Sequence, residues 1–98
     1  MKLIYCPKCL DVKRLQMMTV RHCFCGKSWG YYLEDNLTGE IGGYAVPIAI
    51  ENDKLREAVQ QRPAGGRGFP IEARILPLEY DTVKYRSEPN PDIKLDLS

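Results

Sequence analysis

The sequence predicts a small α+β domain: an N-terminal lobe pinned by a metal, joined to a small antiparallel β-sheet with one short helix. Three observations predict it. All four cysteines of the chain fall within its first 25 residues. Short runs rich in β-branched and aromatic residues then alternate with glycine, proline and other turn formers. A single stretch, residues 52–62, spaces its apolar residues as a helix does. At 98 residues the chain amounts to one domain, taken as residues 1–86, with 87–98 as a flexible or weakly docked tail. So short a chain buries only about two-thirds of its unfolded surface, so a metal staple adds stability where the core is thin.

The elements come in this order. Lys2-Leu3-Ile4-Tyr5 reads as a short strand entering the first cysteine pair, where Pro7 restricts the backbone of a tight turn. Leu15 to Arg21 is a second strand, with β-branched Thr19 and Val20 near its end. After the second cysteine pair, Gly26 supplies a residue able to take positive φ. Tyr31-Tyr32-Leu33 is a third strand, of which alternation turns only one tyrosine inward. Residues 34–39 reverse the chain, and Gly42-Gly43 introduces a break or bulge ahead of the next strand. The apolar run Tyr44–Ile50 is expected to be the main core strand, placed at an edge or bulged because Pro47 cannot donate to a ladder. Asn52 or Asp53 caps a helix that Pro63 ends, with Leu55, Ala58 and Val59 on its apolar face. Ile71, Ala73 and Ile75 alternate with Glu72 and Arg74 as a half-exposed strand. The last twelve residues carry two prolines and few side chains to bury, although Ile93, Leu95 and Leu97 alternate with charges as a docked strand would.

The cysteines carry the clearest chemistry. Cys6-Pro7-Lys8-Cys9 and Cys23-Phe24-Cys25-Gly26 each offer two sulfurs to one point, and the intervening residues suffice for two short strands and a turn. Four thiolates fill a tetrahedral ion and leave no position for water, which marks one structural Zn2+ rather than a catalytic metal. Iron held by the same sulfurs, a thiol redox pair and free cysteines are the alternatives. A redox pair normally opens a helix beside a sheet, whereas Pro7 and Lys8 sit between a strand and a polar run. His22 adjoins Cys23 but is expected outside the ligand set, since a residue beside a ligand normally points elsewhere. No serine or carboxylate pattern places it in a catalytic constellation.

Net charge is +1, but unevenly spread. Residues 1–30 hold six basic side chains against the single acid Asp11, a balance of +5, and the remainder is −4. Four thiolates around a dication would lower the first figure to +3. Lys8, Lys13, Arg14, Arg21 and Lys27, with an exposed member of the Tyr31/Tyr32 pair, therefore form the expected contact surface for an anionic partner. Trp29 is expected to pack against the metal lobe. Gly65-Gly66-Arg67-Gly68 can wrap an anion, but it comes after a helix and lacks the Gly-Lys-Ser/Thr of a phosphate loop. No run of the sequence approaches a membrane span, and the N-terminus lacks the apolar core of a secretory signal. Clustered cysteines then suit a reducing cytoplasm.

The segment from Tyr5-Cys6-Pro7-Lys8-Cys9 to Cys23-Phe24-Cys25-Gly26 resembles the zinc-ribbon group, whose knuckles read Cys-Pro-x-Cys and Cys-x-x-Cys-Gly. The resemblance covers about the first third of the chain. Leu10 stands where such knuckles often carry glycine, and the second pair is one residue short. The whole chain also looks like the small zinc-ribbon proteins of bacteria and their phages. The resemblance implies an N-terminal zinc ribbon and a role in binding nucleic acid or protein, without choosing between them. The expected function is non-enzymatic binding, of nucleic acid through the basic lobe. A protein-interaction or regulatory module using the tyrosine-rich strands is the first alternative. A small enzyme or anion-binding protein using the glycine loop is the second.

Overall fold

The computed structural model describes residues 1–95. The chain runs β1 (Lys2–Tyr5), β2 (Val12–Arg14), β3 (Thr19–His22), β4 (Ser28–Tyr32), β5 (Gly39–Gly43), β6 (Val46–Ala49), α1 (Asn52–Gln60), β7 (Arg74–Ile75), β8 (Val83–Tyr85) and β9 (Lys94–Leu95). The strands form two sheets, ordered β2-β1-β6-β7 and β8-β5-β4-β3-β9. Pairing is antiparallel except at both edges of the second sheet, where β8 joins β5 and β9 joins β3 in parallel. The α+β class with an antiparallel sheet is thus observed, built as two sheets rather than one.

The apolar side chains explain the layering. Ile4 of β1, Leu15, Tyr32 of β4, Ile41 of β5, Ala45, Leu76 and Val83 form one buried cluster between the sheets. Val20, Trp29, Tyr31 and Ile93 form a second on the opposite face of β4. β4 is therefore covered on both sides, and all five of its residues are buried. Close approach here demands glycine: a Cβ on Gly42 would lie 2.1 Å from Trp29 Cζ2. Gly43, at φ 67°, ends β5 where a Cβ would lie 1.9 Å from the Lys27 carbonyl oxygen.

Several expectations are corrected. The strand expected over Leu15–Arg21 is split, because Leu15 turns into the core and Met18 takes φ 53° before β3 begins. Residues 39–43, expected as a turn and a break, are the strand β5. β6 is flanked by β1 and β7 and is no edge; Pro47 escapes penalty because β7 pairs with Ile48 and Ala49, and Pro47 itself only accepts a bond, from the Leu76 N–H. The helix cap is Glu51, without a side-chain cap bond. The expected strand over 71–75 shrinks to Arg74–Ile75, and its register is off by one: Ile75 is 68% exposed and Leu76 is the buried residue.

The segment after residue 86 lies on the second cluster. Asn90 donates its backbone N–H to Tyr31 Oη at 3.1 Å, Ile93 is 8% exposed, and Lys94–Leu95 pairs with Thr19–Val20. Leu97 falls outside the described residues.

Candidate metal centre

The two cysteine pairs occupy the tips of two hairpins that belong to different sheets. β1 runs into Cys6, and the chain returns from Cys9 into β2. β3 runs into Cys23, and the chain returns from Cys25 into β4. Backbone bonds shape each turn. Cys6 N–H donates to Asp11 O at 2.9 Å, and Leu10 N–H donates to Cys6 O at 2.7 Å. Cys23 N–H donates to Ser28 O at 2.9 Å, and Gly26 N–H donates to Cys23 O at 3.0 Å. Closing these turns takes positive φ, which Gly26 supplies at 77° and Leu10 at 64°. Leucine disfavours that region, so the end of the first turn is strained at Leu10.

The four Sγ atoms lie within 4.8 Å of one another. Cys25 Sγ is 3.7 Å from Cys6 Sγ and 3.5 Å from Cys23 Sγ. A tetrahedral ion with metal–sulfur bonds of about 2.3 Å puts its sulfurs about 3.8 Å apart. The cluster is therefore of the right size to hold one metal ion.

The proton affinities of the thiols suit a site for a cation. Burial works against the Cys6 thiolate, but the nearby Ser28 hydroxyl and the Cys9 and Lys8 backbone N–H groups outweigh it and bring the thiol down to about 6. Cys23 is likewise lowered, its burial outweighed by donors that include the Ser28 backbone. Cys25 goes the other way, to about 11. A backbone bond at Lys27 favours its thiolate, but desolvation and the three neighbouring sulfurs prevail. Four negative sulfurs this close cannot coexist without a positive charge among them. Ser28 adds a further sign. Its side chain is completely buried and its Oγ lacks a formed hydrogen bond, although it lies close enough to favour the Cys6 thiolate. A metal-bound sulfur is the kind of acceptor that such a hydroxyl serves.

Asp11 ties the two turns together. Its Oδ2 accepts the Phe24 backbone N–H at 2.8 Å, and Lys13 Nζ lies 3.9 Å away. From the sequence Asp11 counts only as a charge, and this brace is not foreseen. Its place two residues past the first pair was the available signal. His22 pairs with Trp29 at the end of β3 and is not among the clustered ligands.

The expected contact surface is only partly assembled. Tyr31 and Tyr32 are 0% and 7% exposed, so neither is available to a partner. One inward and one outward tyrosine would require a sheet with one bare face, and β4 has none. Tyr31 Oη donates to Glu40, whose other carboxylate oxygen lies 3.5 Å from Arg86, and burial with that bond raises the Tyr31 pKa. Tyr32 Oη accepts the Lys2 backbone N–H at 2.7 Å. Lys8 lies over the Tyr44 ring at 4.8 Å, and Tyr44 N–H donates to the Lys27 carbonyl, which brings Lys8 and Lys27 to the knuckle end. Arg14 and Arg21 line a separate cleft with Gln16, Met17 and Asn36, where Arg21 donates to the Arg14 carbonyl at 3.3 Å. The basic residues thus form two groups rather than one stripe. Phe24 is 89% exposed at the tip of the second turn. Among the described residues no helix is long and apolar enough to cross a membrane.

Comparison with known proteins adds no relative: no protein family matches the chain, and neither does any curated protein or solved structure. The fold and the four-sulfur cluster define a small α+β protein able to bind a metal.

Proposed function

We propose that this is a small, non-enzymatic, cytoplasmic binding protein of zinc-ribbon type. One Zn2+ held by Cys6, Cys9, Cys23 and Cys25 organises the lobe, which contacts nucleic acid. The observation that carries this reading is the closeness of the four sulfurs, all within 4.8 Å. Sulfur at all four positions suits zinc and leaves no coordination site for a substrate or water, so the ion's part is structural. Zinc, when bound, supplies positive charge that lets all four thiols ionise. Reduced thiols in this arrangement suit a reducing compartment. The excess of six basic side chains over one acid in residues 1–30 supports an anionic partner.

A second reading, a protein-interaction or regulatory module, draws support from an open apolar groove at the other end. There Leu55 and Val59 of α1 face Phe69 and Ile71 across the Gly65–Gly68 loop. That loop lies in solvent with Gly66 and Gly68 at positive φ. It lines the groove, whose apolar walls support an apolar ligand better than an anion.

Native mass spectrometry tests the metal: one zinc per chain is expected, lost in Cys9→Ser. Fluorescence anisotropy with a labelled oligothymidylate tests the partner. Micromolar-range binding that falls steeply with salt is expected, and replacing Lys13, Arg14 and Lys27 together by glutamate should weaken it with zinc content unchanged. Full zinc in Cys9→Ser would overturn the four-ligand site. Absence of binding at low ionic strength would hand the lead to the protein-partner reading.

A further inference from the structure

We propose that Phe24 is the residue on which an unpaired base stacks, with neighbouring cations meeting the phosphates on either side; this rests on the nucleic-acid reading above. Phe24 is the most exposed of the large apolar side chains among the described residues, at 89%. A phenyl ring held in water forgoes the stabilisation that burial gives the large side chains of the core. The backbone beneath it is nevertheless fixed. Phe24 sits between Cys23 and Cys25, whose sulfurs are 3.5 Å apart, and its own N–H is held by Asp11 Oδ2 at 2.8 Å. A ring on a rigid turn can receive a base without first paying to order a loop.

Most of the other aromatics of this end are committed, and Tyr5, at the end of β1, is half-buried. Trp29, Tyr31 and Tyr32 are buried. Tyr44 is exposed, but the Lys8 ammonium covers one face of its ring at 4.8 Å. The surroundings of Phe24 favour an anionic strand over an acidic or apolar protein segment. Lys27 is exposed three residues on, and Lys8 is brought near through Tyr44. Asp11, the only acid in residues 1–30, is already engaged by the Phe24 N–H and by Lys13. A flat ring beside cations is the arrangement that binds single strands with little preference for sequence, because every base has a π face.

The test uses the full-length, zinc-loaded protein and labelled oligothymidylate at low salt. Phe24→Ala should weaken binding about tenfold or more, while the dependence on salt keeps its slope because no phosphate contact is removed. Phe24→Leu, which keeps an apolar side chain without a π face, should lose a similar amount. Phe24→Trp should bind as well as the parent, and its added tryptophan emission should be quenched by the oligonucleotide, whereas the buried Trp29 of the parent should not respond. Zinc content is measured in each variant to show that the knuckle is intact. Equal affinity of Phe24→Ala and the parent would overturn the stacking role and leave the nucleic-acid reading standing. No binding by the parent would remove both. Poly-glutamate that binds as tightly as the oligonucleotide, with the same loss in Phe24→Ala, would assign the ring to a protein partner instead.

Discussion

The two ends of this molecule are ordered by different means. At the knuckle end, two short hairpins from separate sheets meet at four sulfurs, and little apolar surface is buried around them. Leu10, Val12, Phe24 and Tyr44 are all exposed there. In the middle, β4 lies between two apolar clusters and is held by packing on both faces. The end formed by α1 and residues 61–75 has neither device. Ala58 is the only buried residue of the helix, and the segment after it is exposed throughout. The difference shows that a chain this small concentrates its apolar side chains in one place. Elsewhere it depends on ligation or does without.

Metal removal should break this comparison most visibly. With a chelator, the two hairpin turns should lose order while β4 and β5 retain theirs. Hydrogen exchange would then show loss of protection at Cys6–Leu10 and Cys23–Gly26, with residues 29–32 unchanged. Metal uptake at pH 7 should release fewer than four protons, since Cys6, at about 6, is already mostly ionised, whereas Cys25, at about 11, gives up a full proton. Protons compete for the same sulfurs, so affinity should fall as the pH is lowered. Calorimetry in buffers of different ionisation enthalpy counts those protons.

Ile93→Ala should come next in size, at about 3 kcal/mol of stability in thermal or denaturant unfolding, because it opens a cavity against Trp29 and Tyr31. A loss below about 0.5 kcal/mol would mean that the C-terminal segment contributes nothing to the central packing. A smaller effect, of opposite sign, is expected at the knuckle. Leu10→Gly should stabilise by about 1 kcal/mol by relieving the strain at φ 64°, since the leucine side chain lies in solvent. Val59→Gln, at an exposed position in the open groove beside α1, should change stability least, within about 0.5 kcal/mol. A larger loss there would show that the helix end is packed after all.

The parts legible in the sequence are those whose signal is local. Cysteine spacing announced the cluster because a tight turn needs only its own residues, and Gly26 betrayed its positive φ for the same reason. β5 was illegible because three of its five residues are glycine, which propensity assigns to turns; here the glycines admit Trp29 and neighbouring backbone at distances no side chain permits. The tyrosines were misplaced because distant residues set their environment: Asn90 and Ile93, about 60 positions on, cover Tyr31, and Lys2 and Ile4 of β1 cover Tyr32. Alternation could not show that a second layer would cover the face it left bare. The same blindness put Ile75 inward in place of Leu76, since a two-residue strand has too short a period to fix its own register.

The double coverage of β4 has a consequence for how this chain can vary. An ordinary surface strand offers every second position to drift, so half its letters are free. Ser28, Trp29, Gly30, Tyr31 and Tyr32 offer none: each is buried, and Gly30 has Leu15 and Ile41 where a side chain would begin. In a library of random substitutions selected for soluble protein, these five consecutive positions should survive as an unbroken word. Val12, Lys13 and Arg14 of β2, whose side chains are mostly exposed, should dissolve into near-random sequence around it.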